Sequence, residues 1–314
     1  MSDQDAAALS DQDQLAWEAR FGRGAAAFAF ASGFLLLAGT FVLQSMVEDR
    51  GGDRIRSLPD FLLSIDKSPG TMVVSQVLIA ISALCLIPVF IYLFRAVVHR
   101  IPQVPRWFVY LILIGPLFYA ISLVIGALDR VDVAELFAER SSDAGKYCPA
   151  IAGKPGEECA KDLIADDVSP LGIGLSLAGS VGTAFLFVML PLRARRAGLM
   201  SQFMAILGVI AGALMVLQLM PLVPEVTRAF WLGAVGALFL GSWPGGRGSA
   251  WETGRPDPWP SAADRRGLVP AGGPADKAAG AANGANGASA GAAPAEPEPV
   301  PQRPSSRKRR RKKR

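Results

Sequence analysis

Six stretches of this 314-residue chain carry no ionisable side chain: Ala25 to Val47, Thr71 to Phe94, Trp107 to Leu128, Ser169 to Leu192, Ala197 to Pro224 and Ala229 to Gly246. A helix needs about 20 mostly apolar residues to cross the hydrocarbon core of a bilayer, and most of these runs reach that length. All 27 acidic and 32 basic residues fall at the termini or between the runs. Hydrocarbon offers backbone groups no water, so segments of this kind cross it as helices. The expected fold is therefore all-α: a polytopic transmembrane bundle of six helices over about 25–47, 71–94, 107–128, 169–192, 199–220 and 229–243. The sixth is the weakest, because Pro244 follows its last apolar residue, Trp243.

Residues 1–24 are hydrophilic and lack the short basic and apolar blocks of a secretory signal, so the first run reads as an anchor. Positive charge in short loops marks the cytoplasmic side. Arg95, Arg100 and Arg106 stand without an acid between runs two and three, and Arg193, Arg195 and Arg196 do the same between runs four and five. Loop 129–168 has ten acids against five bases and belongs outside. Six spans then put both termini in the cytoplasm. Arg outnumbers Lys, and Ala and Gly abound, which fits a GC-rich bacterial genome and a plasma-membrane location.

Cys148 and Cys159 lie in the loop assigned outside, around the turn-rich segment Pro149 to Gly156. Disulfides persist only in oxidising compartments, so a bonded pair agrees with that side. Closing so short a loop contributes about 3 kcal/mol by the chain-entropy model. Two Cys with no nearby His fall short of a zinc site's four ligands. Asp132, Glu135 and Glu139 share one face of a short helix in the same loop and read as a solvated acidic surface, since no ligands alternate as in a calcium loop. Cys85, in the second run, is a small buried apolar residue.

Small residues recur four apart in the later runs. Gly208 and Gly212 form a GxxxG, and Ala229, Gly233, Ala237 and Gly241 form a ridge. Ridges of this kind let helices approach closely, within one chain or in a homodimer through the sixth span. Transporters that couple to protons or ions usually carry ionisable residues within their helices, and none lies inside the six runs. A single His, His99, at a run boundary beside Arg100, assembles neither a Ser-His pair in the membrane nor a His-based metal site. No catalytic, cofactor or metal site is expected.

Residues 247–314 read as a disordered cytoplasmic tail of low complexity, with Trp251 and Trp259 lying at the headgroups. The tail closes on Arg307, Lys308, Arg309, Arg310, Arg311, Lys312, Lys313 and Arg314, which turn a net charge of −3 into +5. A polybasic end of this kind attracts anionic lipid headgroups at about 1 kcal/mol per basic residue. RNA or a ribosome is the alternative partner, bound by salt-dependent, sequence-blind contacts.

The stretch from Leu190 to Met200, with its basic turn, leads into Ala205 to Gly212. Together with the order of the runs, it resembles a group of bacterial six-span membrane proteins, many of them actinobacterial, in which a similar basic turn joins two late helices. The resemblance implies the fold and carries no activity. The expectation is thus an accessory or interaction protein of the plasma membrane that is not an enzyme, the alternative being a passive transporter or channel for a neutral or lipid-like solute. Cysteine labelling in intact cells tests the topology. After reduction, an impermeant maleimide should modify Cys148 and Cys159 from outside; modification only after lysis would reverse the orientation.

Overall fold

The computed structural model describes residues 3–48, 57–105, 107–142, 156–167, 169–217, 222–244 and 246–259. Met1–Trp259 forms one compact unit; Pro260–Arg314 separates as a second and lies outside the described residues. Among the described residues every regular element is an α-helix. They are α1 (Asp3–Glu48), α2 (Leu58–Lys67), α3 (Pro69–Arg100), α4 (Phe108–Ser142), α5 (Glu157–Asp167), α6 (Pro170–Arg196), α7 (Gln202–Leu217), α8 (Val223–Leu240) and α9 (Ala250–Thr253).

Five of these, α1 from Ser10 to Met46, α3, α4, α6 and α8, are long and apolar enough to cross a membrane. The chain is therefore a helical bundle of multi-pass membrane type. α7 has 16 residues and spans about 24 Å. That is short of a hydrocarbon core of about 30 Å, and the rest of its run, 218–221, lies outside the described residues. Of the five helices long enough to span, α8 is the shortest, with 18 residues. α8 is long enough because it begins at Val223, with Pro224 in its first turn, ahead of the charge-free run.

α1 and α3 run antiparallel, and their register is fixed by polar pairs. Ser32 Oγ donates to the Ser82 carbonyl at 2.9 Å, and Ser82 Oγ donates to the Ser32 carbonyl at 2.8 Å. Each interhelical hydrogen bond of this kind averages about 0.6 kcal/mol in a membrane, modest in energy but selective of one register. At the centre, Phe90 of α3 meets Phe187 of α6 edge-on at 5.3 Å, and Phe187 meets Trp231 of α8 at 5.0 Å. The Trp231 indole donates to the Met204 carbonyl of α7 at 3.0 Å, so its N–H is satisfied within the core.

At the far end from the basic turns, Leu62 and Ile65 of α2, Val133, Ala134 and Phe137 of α4, and Ala160 and Leu163 of α5 bury one another. α2 starts there at Ser57, whose hydroxyl accepts from the Asp60 backbone N–H. Loop 129–168 is therefore largely helical: α4 continues unbroken to Ser142, with Asp132, Glu135 and Glu139 exposed, and α5 follows. The apolar residues of that stretch select its buried face, and these three acids are turned outward.

The small residues divide. A Cβ on Gly208 would come within 2.7 Å of Pro191 and one on Gly212 within 2.7 Å of the Ala184 carbonyl, so both serve packing of α7 on α6 within the chain. A Cβ on Gly233 would meet nothing within 4 Å. Gly241 is not a packing residue but ends α8 in the left-handed conformation, φ 77°. Ala237, between them, supplies the carbonyl that accepts from the Ser242 N–H at 2.9 Å. Gly212→Leu should destabilise the purified protein by about 1–3 kcal/mol through overpacking, read as a lowered Tm in detergent. Gly233→Leu should leave Tm unchanged; equal losses would contradict this division.

Candidate functional site

The described polar chemistry concentrates where the chain returns from α8 across the start of α1. α6 ends at Arg196, and the turn after it closes on itself. The Gly198 N–H donates to the Arg195 carbonyl at 3.0 Å, the Leu199 N–H to the Ala194 carbonyl at 2.8 Å, and Gly198 has φ 76°. A left-handed glycine closing two such bonds is a Schellman motif, and Leu199 and Ala194 are both fully buried beneath it. The turn therefore delivers the Leu199 carbonyl to a fixed place, where the Trp251 indole donates to it at 2.9 Å.

Trp251 belongs to α9, and its ring stacks on Tyr92 of α3 at 6.0 Å. Below it, Arg100 has a fully buried side chain and uses all its donors. Nη1 donates to Glu18 Oε1 at 2.6 Å and Nη2 to Glu18 Oε2 at 3.0 Å, a two-pronged bridge from α3 to α1. Nε and Nη2 both donate to the Ala250 carbonyl, at 3.1 and 2.7 Å, and Nη1 also donates to the Ala96 carbonyl at 2.9 Å. Glu18 receives a further bond from Gln14 Nε2 at 2.9 Å, and its carbonyl one from the Tyr92 hydroxyl at 3.1 Å. Two charges are thus removed from water with their hydrogen-bonding capacity met, the condition under which a buried pair is tolerated.

A second, outer pair reinforces it. Asp11 of α1 bonds His99 Nε2 at 3.0 Å and accepts from Arg255 Nε at 3.1 Å. Arg95 lies over the Trp17 ring at 4.1 Å. His99 therefore has a carboxylate partner that its place in the sequence does not disclose. The arrangement positions chain segments: it draws 246–259 onto α1 and α3. This corrects the tail boundary at Arg247, since Trp251 is 5 % exposed and sits in the core rather than among headgroups. Composition hides it, because the segment is Gly- and Pro-rich and is held by side-chain and carbonyl bonds to distant residues.

A further correction concerns α8. Glu225 and Arg228 lie within the helix, paired i to i+3, and Arg228 is buried with its Nε unbonded. Its neighbours around a cavity of about 10 Å³ include Ser32 and Ser82, so an ionisable side chain does reach the middle of the bundle. A cavity that size holds one water at most. The signal is present in the sequence: Glu225 and Arg228 immediately precede the sixth run, and a helix starting earlier carries them inward.

Of the other residues singled out, Cys159 is disulfide-bonded, whereas Cys148 lies outside the described residues. Cys85 is a free thiol. The polybasic end, Arg307 to Arg314, also lies outside them. Among the described residues no group of three or more His, Cys, Asp or Glu is placed to hold a metal ion. Compared with protein-family models, curated proteins and solved structures, the chain matches none of them.

Arg100→Met leaves Glu18 buried and unpaired, so it should cost about 3–5 kcal/mol of stability. The double variant Arg100→Met, Glu18→Leu should recover most of it, measured by thermal unfolding of the full chain in detergent. A double variant as unstable as the single one would mean that the Ala250 contact, not the ion pair, dominates.

Proposed function

We propose that this chain is a six-span integral protein of a bacterial plasma membrane, with both termini in the cytoplasm, acting by interaction rather than catalysis. The observation that carries the reading is the clasp of Arg100, Glu18 and Trp251 on residues 246–259, because the sequence beyond Trp259 then starts from a fixed point on the bundle. Arg95, Arg100, Arg195 and Arg196 gather at that same end. Asp60, Asp66, Glu157, Glu158, Asp162 and Asp166 accompany α2 and α5 at the other. That asymmetry supports the cytoplasmic assignment of the clasp end, since basic residues mark the cytoplasmic face.

In this reading the bundle is an anchor and the polybasic end is the effector, reaching anionic lipid at a high local concentration set by its tether. The alternative, a passive path for a neutral or lipid-like solute, fits less well with a centre filled by Phe90, Phe187 and Trp231. The test uses the full chain in nanodiscs of neutral lipid, presented to vesicles containing phosphatidylglycerol. The protein should capture the vesicles at low salt, and replacing Arg307 to Arg314 with Gln should abolish capture, given about 1 kcal/mol lost per residue. Capture that survives the replacement overturns the reading, as does displacement of the vesicles by an equal charge of ribosomal RNA.

A further inference from the structure

A cleft of about 390 Å³ opens between α4, α6 and the last turn of α7. Its floor and mouth differ in chemistry. Ile173, Leu177, Val181 and Val216 form an apolar wall, and each is about half exposed or more, so the cleft faces outward rather than into the core. Ser122, Ser176 and Ser180 interrupt that wall, and Asp129 and Arg130 stand at one end of it.

Arg130 decides the reading. Side chains on a helix lean toward its N-terminus, and that direction on α4 runs into the bundle. The guanidinium follows it: Nη1 lies 4.0 Å from where a Cβ of Gly126 would be, one turn back, where the missing side chain leaves room. The Arg130 side chain makes no hydrogen bond or ion pair among the described residues. Its neighbour Asp129 does not neutralise it by contact, because that carboxylate accepts from the Ser169 N–H at 3.2 Å, at the start of α6. Ser176 is likewise without an internal bond among the described residues, whereas Ser122 and Ser180 donate to carbonyls of their own helices.

The depth is informative. α3 and α4 are antiparallel, with Phe94 stacked on Phe108 and Ala80 and Ala83 packed with Ala120, which puts Arg130 level with the beginning of the second charge-free run. From Arg130 to Ser122 the cleft descends about 12 Å, close to the thickness of one leaflet. A cation at headgroup level above an apolar, laterally open wall of one leaflet's depth is complementary to one kind of molecule. We propose that this cleft is a binding site for a membrane phospholipid, its phosphate held by Arg130 and an acyl chain laid past Ser176 along Leu177, Val181 and Val216. The inference rests on the reading of the bundle as membrane-embedded.

The test is photolabelling of the full chain in vesicles with a phosphatidylglycerol carrying a diazirine in its acyl chain, mapped by mass spectrometry. Label should concentrate on residues 173–181 and 215–217, and Arg130→Gln should reduce it there about ten-fold or more, as expected for loss of a charge-assisted bond. Leu177→Trp, at an exposed position that tolerates bulk, should exclude the lipid while leaving Tm unchanged. Label spread evenly over the lipid-facing helices, or unaltered by both substitutions, overturns the site. Loss of label on adding excess glycerol phosphate overturns the lipid as ligand in favour of a free phosphate. Failure of the underlying membrane reading looks different, because no helix would then be labelled.

Discussion

A buried polar group that water cannot reach must find its partner inside the protein, and the described helices meet that demand at Ser32, Ser82, Trp231 and Arg100, with Thr183 Oγ1 and Arg228 Nε as exceptions. Ser32 and Ser82 satisfy each other, Trp231 finds the Met204 carbonyl, and Arg100 distributes its donors over Glu18, Ala96 and Ala250. Most of these partners come from helices distant in sequence, so each such bond also excludes alternative registers. Apolar packing alone would hold the helices together with little preference for one alignment. The polar pairs supply that preference.

The same demand explains how the two ends differ. At one end Arg100 and the Leu199 carbonyl, which accepts from the Trp251 indole, hold a segment of no regular structure of its own beyond one short helix. At the other, Leu62 and Ile65 of α2 and Leu163 of α5 are buried against Phe137 of α4. One end is fastened by directional bonds, the other by apolar burial. Directional fastening suits a segment that must leave from a defined point.

The absence of charge over long runs makes the helical class legible, and the basic turns make the pairing of helix ends legible. What escapes is set by contacts between residues far apart. The clasp joins Glu18, Arg100 and Ala250, whose sequence neighbours say nothing of one another. Treating charge as a boundary misplaces the start of α8, because Arg228 is carried inward with Glu225 as its partner, and charge tolerated through pairing leaves no mark in hydropathy. The GxxxG of Gly208 and Gly212 is legible as packing, but spacing cannot tell it from the outward Gly233. Only the neighbouring helix distinguishes a filled groove from an open one.

The turn after α6 holds two kinds of information in one short stretch. Its shape is written in Ala194, Gly198 and Leu199, by backbone bonds and burial, while the side chains of Arg195 and Arg196 stay exposed and take no part in making it. Shape and charge are therefore independent variables here. A lineage of such chains is free to retune its sidedness signal, arginine by arginine, without rebuilding the corner that delivers α7 to the bundle.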